Sequence, residues 1–524
     1  MNSPANPSST RGRLGWGLIT ALLLLQFASR YLPSPEAVWV VDDWANAARS
    51  SFYASTLEAA ATGLQDPNRP LSMMAVEVGY RLFGDRAWIW TLVSLVANSL
   101  LLLALMKMAL ELTGRREIAF AAGAVFALLP NLTETYHWST QVLNEVSCGL
   151  VPYALSGWLG VAYFRRGGGW RLALSALAYG VGLFSYEAGI LLPGAFLALV
   201  PWRRKPIKGL LCLAPFALVC SVYAAWRGTN AFGLNHVWNY PPHMQAGASL
   251  AGMRWGFHEV ANWWLGNHMA AAVRSGLKSF ATLSAGVKYA LAAIDVAAIF
   301  LLGRSLRRLS AAEEKKPPGD LFSGAQPALF AAAWTAAAAA ISVVSYSAPR
   351  LNVLPAMGIS LLAALALRRL SLKIWTPVLL IPAVLAMASN QGTAESYRRA
   401  GRWNQEIFVY LRQHADEWRG KKILLFDTTS WRRSLPVPSA IDPDAWANNG
   451  NAPLARGFSF IGMAQLATGQ KNSDLLVLHD VEYGTRIDGA WLFWHNRFNP
   501  ARNHTNSMAD VFVVAGPEFG SSGE

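Results

Sequence analysis

Long apolar runs and short polar breaks alternate through the first 390 residues. The runs lie near 14–32, 86–112, 117–131, 142–164, 172–184, 188–202, 207–226, 281–302, 322–345, 350–368 and 373–389. A helix needs about 20 apolar residues to cross a bilayer upright. The pattern therefore predicts an α-helical polytopic membrane protein with about eleven transmembrane helices, a count that the shorter runs leave open by one or two. The first run is too long, and lacks the small-residue cleavage pattern, for a removable signal peptide. After residue 389 the pattern changes. "KKILLFD" (421–427), "SDLLVLHD" (473–480), "GAWLFWHN" (489–496) and "MADVFVVAG" (508–516) are short apolar runs bounded by Pro, Asn, Asp and Gly, and they read as strands. "ESYRRAGRWNQEIFVYLRQHADEW" (395–418) places apolar residues at helical spacing. The expected division is a transmembrane domain over 1–389, with 33–85 as its first external loop carrying short interfacial helices, and a small extracytoplasmic α/β domain over 390–524. "SAAEEKKPPGD" (310–320) has the composition of a linker.

Composition sharpens this picture. The chain is 53% hydrophobic and only 15% charged, whereas a soluble domain carries about 25% charged residues. Its 22 tryptophans suit a protein with membrane–water interfaces to line. The net charge of +14 would fit nucleic acid if it formed one patch. It is instead spread over clusters: Arg11 and Arg13 precede the first span, and the others follow alternate spans, namely Arg115 and Arg116, Arg165, Arg166 and Arg171, "RRKPIK" (203–208), "RSLRR" (304–308) with Lys315 and Lys316, and "RRLSLK" (368–373). All fall on one side if the N-terminus is cytoplasmic, as the positive-inside rule requires. The three cysteines, Cys148, Cys212 and Cys220, lie in apolar runs and show neither disulfide nor metal spacing.

The candidate chemistry gathers on the opposite side. "VWVVDDWANAARSS" (38–51) places Asp42 and Asp43 just after the first span. A carboxylate beside a bilayer is costly unless it faces water or a partner; the plainer reading is a helix cap. "DPNRPLSMMAVEVGYRLFG" (66–84) opens on Arg69 and Pro70 and has apolar positions at helical spacing, with Pro suited to a helix start. Arg69 there could bind a phosphate or simply sit among lipid headgroups. "TETYHWSTQVLNE" (133–145) brings His137, Trp138, Asn144 and Glu145, the histidine being of a kind more often structural than catalytic. "FSYEAGILLP" (184–193) adds Tyr186 and Glu187, "AWRGTN" (225–230) adds Arg227, and "SYSAPRLN" (345–352) adds Tyr346 and Arg350. Acids able to take a proton and arginines able to hold a phosphate suggest group transfer from a phosphorylated donor. No Walker loop, GxGxxG after a strand, HExxH or CxxC pair occurs. No cofactor is required, no metal ligands are identified, and a divalent metal is compatible with the acids without being indicated.

These motifs carry a resemblance. "VVDDW" followed by "NRPL" at the start of a second short helix resembles the integral-membrane GT-C glycosyltransferases, and "LFSYEAGILLP" is similar to a segment that reads Ser-Lys-Glu in related members. The Asp-Asp and Arg-Pro-Leu pairing is similar to multi-span O-mannosyltransferases and to bacterial enzymes that decorate surface polysaccharides. The resemblance covers roughly 35–370, mostly as topology. It implies an inverting transfer from a polyprenyl-phosphate sugar to a hydroxyl of a cell-envelope glycan, lipid or protein, in a bacterial inner membrane with the C-terminal domain periplasmic. It further implies a first-loop Asp as general base, here Asp43 or Asp42 with the preference on Asp43. Arg350 is the first choice for the donor phosphate and Arg227 the second, and Arg69, Tyr186, Glu187, His137 and Glu145 complete the substrate-binding set. Tyr186 stands where related members often carry Lys, which removes one phosphate contact. No repeat of about 34 residues occurs in the tail, so it is not the repeat array of the eukaryotic proteins. The rival readings are an O-antigen ligase or polymerase, which would use arginines without a first-loop Asp; a transporter or flippase of lipid-linked sugars, which would carry ionisable groups near mid-membrane; and a non-catalytic scaffold.

Overall fold

The computed structural model of the protein describes residues 16–33, 39–40, 42–66, 68–132, 134–202, 206–231, 250–314, 322, 325–344, 349–367, 372–427, 457–469, 476–479, 483–496 and 504–515. Six helical segments among them are long and apolar enough to cross a membrane: Ala87–Thr113, Ser139–Arg166, Gly209–Arg227, Ala285–Leu309, Gln326–Val343 and Arg350–Leu367. Gly17–Arg30 and Glu187–Leu199 are apolar but shorter. The chain is thus a multi-pass helical membrane protein. The expected span at 117–131 is a helix of 13 residues, Arg116–Leu128, and its position explains its length. It lies inside the bundle, with Phe120, Ala122 and Ala127 fully enclosed, and contributes to one large core shared with the helices on either side of it. Most of the 310–320 linker falls outside the described residues.

Basic residues following the second and fourth expected spans meet at one end of the bundle. Glu111 holds Arg165 at 3.1 Å and Arg166 at 2.6 Å, and Arg115 pairs with Glu117 at 3.2 Å. The helix Ala87–Thr113 stops there because Gly114 takes a left-handed φ of 67° and donates its N–H to Leu110, a turn that glycine makes without strain.

At the other end lie three short helices, Asp42–Ser51, Thr56–Leu64 and Pro70–Phe83. Pro70 stands at the first turn of the last of these, where its missing N–H costs nothing. A single continuous helix of 42 residues, Leu372–Gln413, runs through residue 389. At 1.5 Å per residue it is about 60 Å long, twice the hydrocarbon thickness of about 30 Å, so it continues well beyond a bilayer. Buried polar contacts fix its middle. Asn390 accepts from the Arg30 guanidinium at 2.8 Å, and Gln391 donates to Asp295 at 2.7 Å. The stretch between the expected spans at 207–226 and 281–302 contains two further helices, Leu250–Leu265 and Asn267–Ala281.

The helix Asn267–Ala281 crosses the long helix at glycines. A Cβ on Gly392 would stand 1.8 Å from the Gly276 carbonyl oxygen, and one on Gly276 would stand 2.2 Å from that of Ser389. Both obstacles are backbone, so the helices must separate to admit a methyl group. Gly392→Ala and Gly276→Ala are each expected to destabilise the fold by about 1–3 kcal/mol through overpacking, read as a fall in the thermal midpoint of the detergent-solubilised protein.

Beyond the long helix, strands β1 (Ile423–Asp427), β2 (Leu476–His479) and β6 (Val511–Ala515) form a parallel sheet in the order β2-β1-β6. Strands β3 (Tyr483–Asp488), β4 (Trp491–Asn496) and β5 (His504–Ser507) form an antiparallel one. The four expected strands are β1, β2, β4 and β6; β3, β5 and the helix Gly457–Thr468 were not anticipated. This unit does not stand apart. A single core joins Leu424, Met463, Ala464 and Val514 to Tyr397 and Ile407 of the long helix, and to Val40, Trp44 and Trp138 at the bundle's end.

Candidate active site

Asp42 and Asp43 open the helix Asp42–Ser51, and the structure gives them different surroundings. Asp43 is fully enclosed. Its Oδ2 accepts the Val40 N–H at 2.7 Å, while its own N–H returns to the Val40 carbonyl. This reciprocal pair caps the helix start. Its Oδ1 accepts the Tyr80 hydroxyl at 2.5 Å, and the Thr140 N–H and hydroxyl at 2.7 Å each. Of these four donors, three tie the helix to Pro70–Phe83 and to residue 140. Burial pushes the Asp43 carboxyl up to about 7, the donors pulling the other way.

Asp42 is half-buried and accepts no hydrogen bond from the described residues. Burial pushes its carboxyl up to about 6, against the pull of the Arg350 and Arg49 charges. A neighbour on a helix points about 100° away, which is why Asp43 is fully enclosed and Asp42 only half-buried.

A chain of alternating charges runs onward from Asp42. Arg49 pairs with Glu77, which also accepts the Ser50 hydroxyl at 2.9 Å. Arg350 lies between Glu134, 3.0 Å from its Nη1, and Glu145, 3.0 Å from its Nε. Glu145 is also 3.8 Å from Arg69. Arg69 makes a two-pronged pair with Glu187, both bonds 2.9 Å, above the Tyr186 ring at 4.7 Å. Arg227 ends the chain, donating to the Tyr223 hydroxyl at 3.1 Å within electrostatic reach of Glu187. Glu145 belongs to a stretch of π-helix, Val142–Leu150, whose wider turn alters the direction of side chains relative to a regular helix.

The structure therefore brings Asp42, Arg350, Glu145, Arg69, Glu187, Tyr186 and Arg227 together at one end of the bundle, from segments up to about 300 residues apart in sequence. It shows Arg69 and Arg350 already matched by carboxylates, whereas Arg227 meets only a tyrosine hydroxyl among the described residues. His137 lies outside the charge chain. It packs against Tyr31, Tyr136 and Tyr397, and burial together with the Arg30 charge lowers its pKa to about 3, so the ring stays neutral. Tyr346 lies outside the described residues. Glu134, Thr140, Tyr80, Arg49 and Glu77 are participants that the sequence reading passed over. Glu134 stands in "TETYHW", and its position ahead of a span was the available signal.

No family model matches the chain, and neither does any curated protein. Among solved structures it is similar to the crystal structure of ArnT from Cupriavidus metallidurans bound to undecaprenyl phosphate. The identity is 14%, over 88% of this chain and 89% of that one, with a TM-score of 0.42.

Proposed function

We propose that the protein is an inverting membrane glycosyltransferase of the GT-C type. It moves a sugar from a polyprenyl-phosphate donor to a hydroxyl of a cell-envelope glycan, lipid or protein, at the periplasmic face of a bacterial inner membrane. The observation that carries this reading is the pairing of one half-buried carboxylate that accepts no hydrogen bond from the described residues, Asp42, with a row of guanidiniums at a single end of the bundle. The "VVDDW" and "NRPL" resemblance supplies the substrate class.

In this reading Asp42, rather than Asp43, is the base. Asp43 spends its lone pairs on four donors and serves to hold the helix. Asp42 takes the proton of the acceptor hydroxyl as that oxygen bonds to the anomeric carbon, and the bond from that carbon to the phosphate oxygen breaks on the opposite face. The phosphate leaves with the electron pair, its charge met by arginine. Arg227 is the first contact, since its charge is least matched, and Arg69 follows at the partly open end of the ion-pair chain. Arg350 is better suited to orienting Asp42 and Glu145. The mouth of the site holds the donor's phosphate while its lipid tail remains in the bilayer.

The test is a panel of polyprenyl-phosphate sugars with the purified protein, followed over pH. A base must be ionised to act, so the rate is expected to rise about tenfold per pH unit below a midpoint near 6 and to level off above it. Stability should move the other way. The folded chain holds protons on Asp42 and Asp43 that the unfolded chain releases near pH 4. Their contribution is therefore fully present below about pH 4 and lost as pH rises through the folded values of about 6 and about 7. A panel in which no lipid-phosphate sugar is consumed at any pH would remove the transferase reading.

A further inference from the structure

Buried polar atoms in a folded protein nearly always have partners. Among the described residues the exceptions are scattered along the chain, but they concentrate in one short stretch. Trp138 Nε1, Ser139 Oγ, Gln141 Oε1, Asn144 Oδ1 and Glu145 Oε2 are all shielded from solvent and make no hydrogen bond with the described residues, and Asn352 Nδ2 is in the same state. Each of the six residues is more than nine-tenths buried. Five of these atoms fall within eight consecutive residues, and the sixth lies two residues from Arg350.

They share a location. The Arg350 guanidinium lies 5.9 Å from the Trp138 ring centroid, and its Nε lies 3.0 Å from Glu145 Oε1. Residues 138 and 145 thus reach the same group, and Gln141 and Asn144 lie between them in the chain. Thr140 points the other way, to Asp43. We infer that this face, with Asn352, is a binding subsite for a sugar ring. The inference rests on the transferase reading for its place in the reaction, though not for its chemistry.

The unmatched atoms define the ligand. An indole N–H can only donate, and a carboxylate oxygen can only accept. A phosphate would satisfy Trp138 and be repelled by Glu145; an ammonium group would do the reverse. A neutral ring of hydroxyls, each both donor and acceptor, satisfies both, and an aromatic face beside it suits a sugar. The source is the sugar of the lipid-phosphate donor or a sugar of the acceptor, and the two are separated by experiment.

Gln141→Met, Asn144→Leu and Asn352→Leu replace an unmatched polar group by an apolar one of similar size. In the full-length protein in nanodiscs, three readouts apply: the thermal midpoint; affinity for undecaprenyl phosphate with and without an attached hexose or pentose; and affinity for free mono- and oligosaccharides. The expected result is an unchanged or raised midpoint, since each change removes an unsatisfied buried group. Affinity for bare undecaprenyl phosphate should stay within twofold. Affinity should fall at least tenfold for the sugar-linked lipid if the donor's ring is bound, or for the free saccharides if the acceptor's is. Lowered midpoints with every affinity unchanged would mean that buried water fills the site and would overturn the proposal, as would a wild type that binds no sugar in any form. Sugar binding that the variants abolish, in a wild type that consumes no lipid-phosphate sugar, would leave the subsite standing and remove the transferase reading instead.

Discussion

Asp42→Asn is expected to lower the transfer rate by about 10²–10⁴-fold, the range a positioned general base contributes, with donor affinity little changed. The fold should tolerate it. Asp42 accepts no hydrogen bond from the described residues, and its carboxyl is already pushed up to about 6, so removing the charge removes a cost of burial rather than a support. The pH dependence of the residual activity should lose its limb near 6. Asp43→Asn is expected to behave differently. Whichever way the amide is turned, its NH₂ faces donors: the Val40 N–H on one side, or Tyr80 and Thr140 on the other. Each donor left buried without an acceptor costs about 1–3 kcal/mol, so the midpoint should drop and activity should fall with it. Parallel measurements of rate and thermal midpoint separate the two residues. If Asp42→Asn keeps a tenth or more of the wild-type rate, while Asp43→Asn is stable and inactive, Asp43 is the base and the sequence-level preference for it stands.

The features visible in the sequence are those that depend on local pattern. Apolar runs located the long helices, and short apolar runs bounded by Pro, Asn, Asp and Gly located four of the strands, because both signals come from a single element facing a single environment. The two acids after the first span and the arginine before Pro70 stood out for the same reason: a charge placed beside lipid is conspicuous without any knowledge of its partner. What could not be seen depended on partners distant in sequence. Asp43 differs from Asp42 through Thr140, 97 residues away, and Tyr80, 37 residues away. Arg350 is matched by Glu134, 216 residues away, so its availability to a phosphate could not be judged from its own segment. The helix Gly457–Thr468 escaped notice for a third reason. "GFSFIGMAQLAT" has no polar stripe, since it is packed between the long helix, β2 and the acidic helix Asp42–Ser51, and amphipathic spacing is the mark of an element with one wet face.

That buried helix leads to the second large effect. Gly462 sits directly on the backbone of the acidic helix. A Cβ there would lie 2.6 Å from the Trp44 carbonyl oxygen, 2.7 Å from the Trp44 carbonyl carbon and 2.8 Å from Ala45 Cα. Trp44 cannot yield, being enclosed with Trp39 at 5.2 Å and Phe408 at 5.1 Å between ring centroids. Gly462→Ala must therefore shift the helix that begins with Asp42 and Asp43, or shift the C-terminal unit off it. A displacement of about 1 Å at a reacting group costs on the order of 10²-fold in rate, so a ten- to hundredfold fall in turnover is expected, with donor affinity held within a few-fold. A double-mutant cycle distinguishes positioning from general damage. If Gly462 acts by setting the position of Asp42, then Gly462→Ala should cost little further activity in the Asp42→Asn background, because the group it positions is already gone. If the two losses multiply instead, the C-terminal unit supports the fold without setting the base. The same core that joins Val40, Trp44, Trp138, Tyr397 and Met463 would make the positioning role reciprocal. Saturating the site with a lipid-phosphate sugar should then slow hydrogen exchange in Gly457–Thr468 as well as in the acidic helix, although no residue of Gly457–Thr468 belongs to the charge chain.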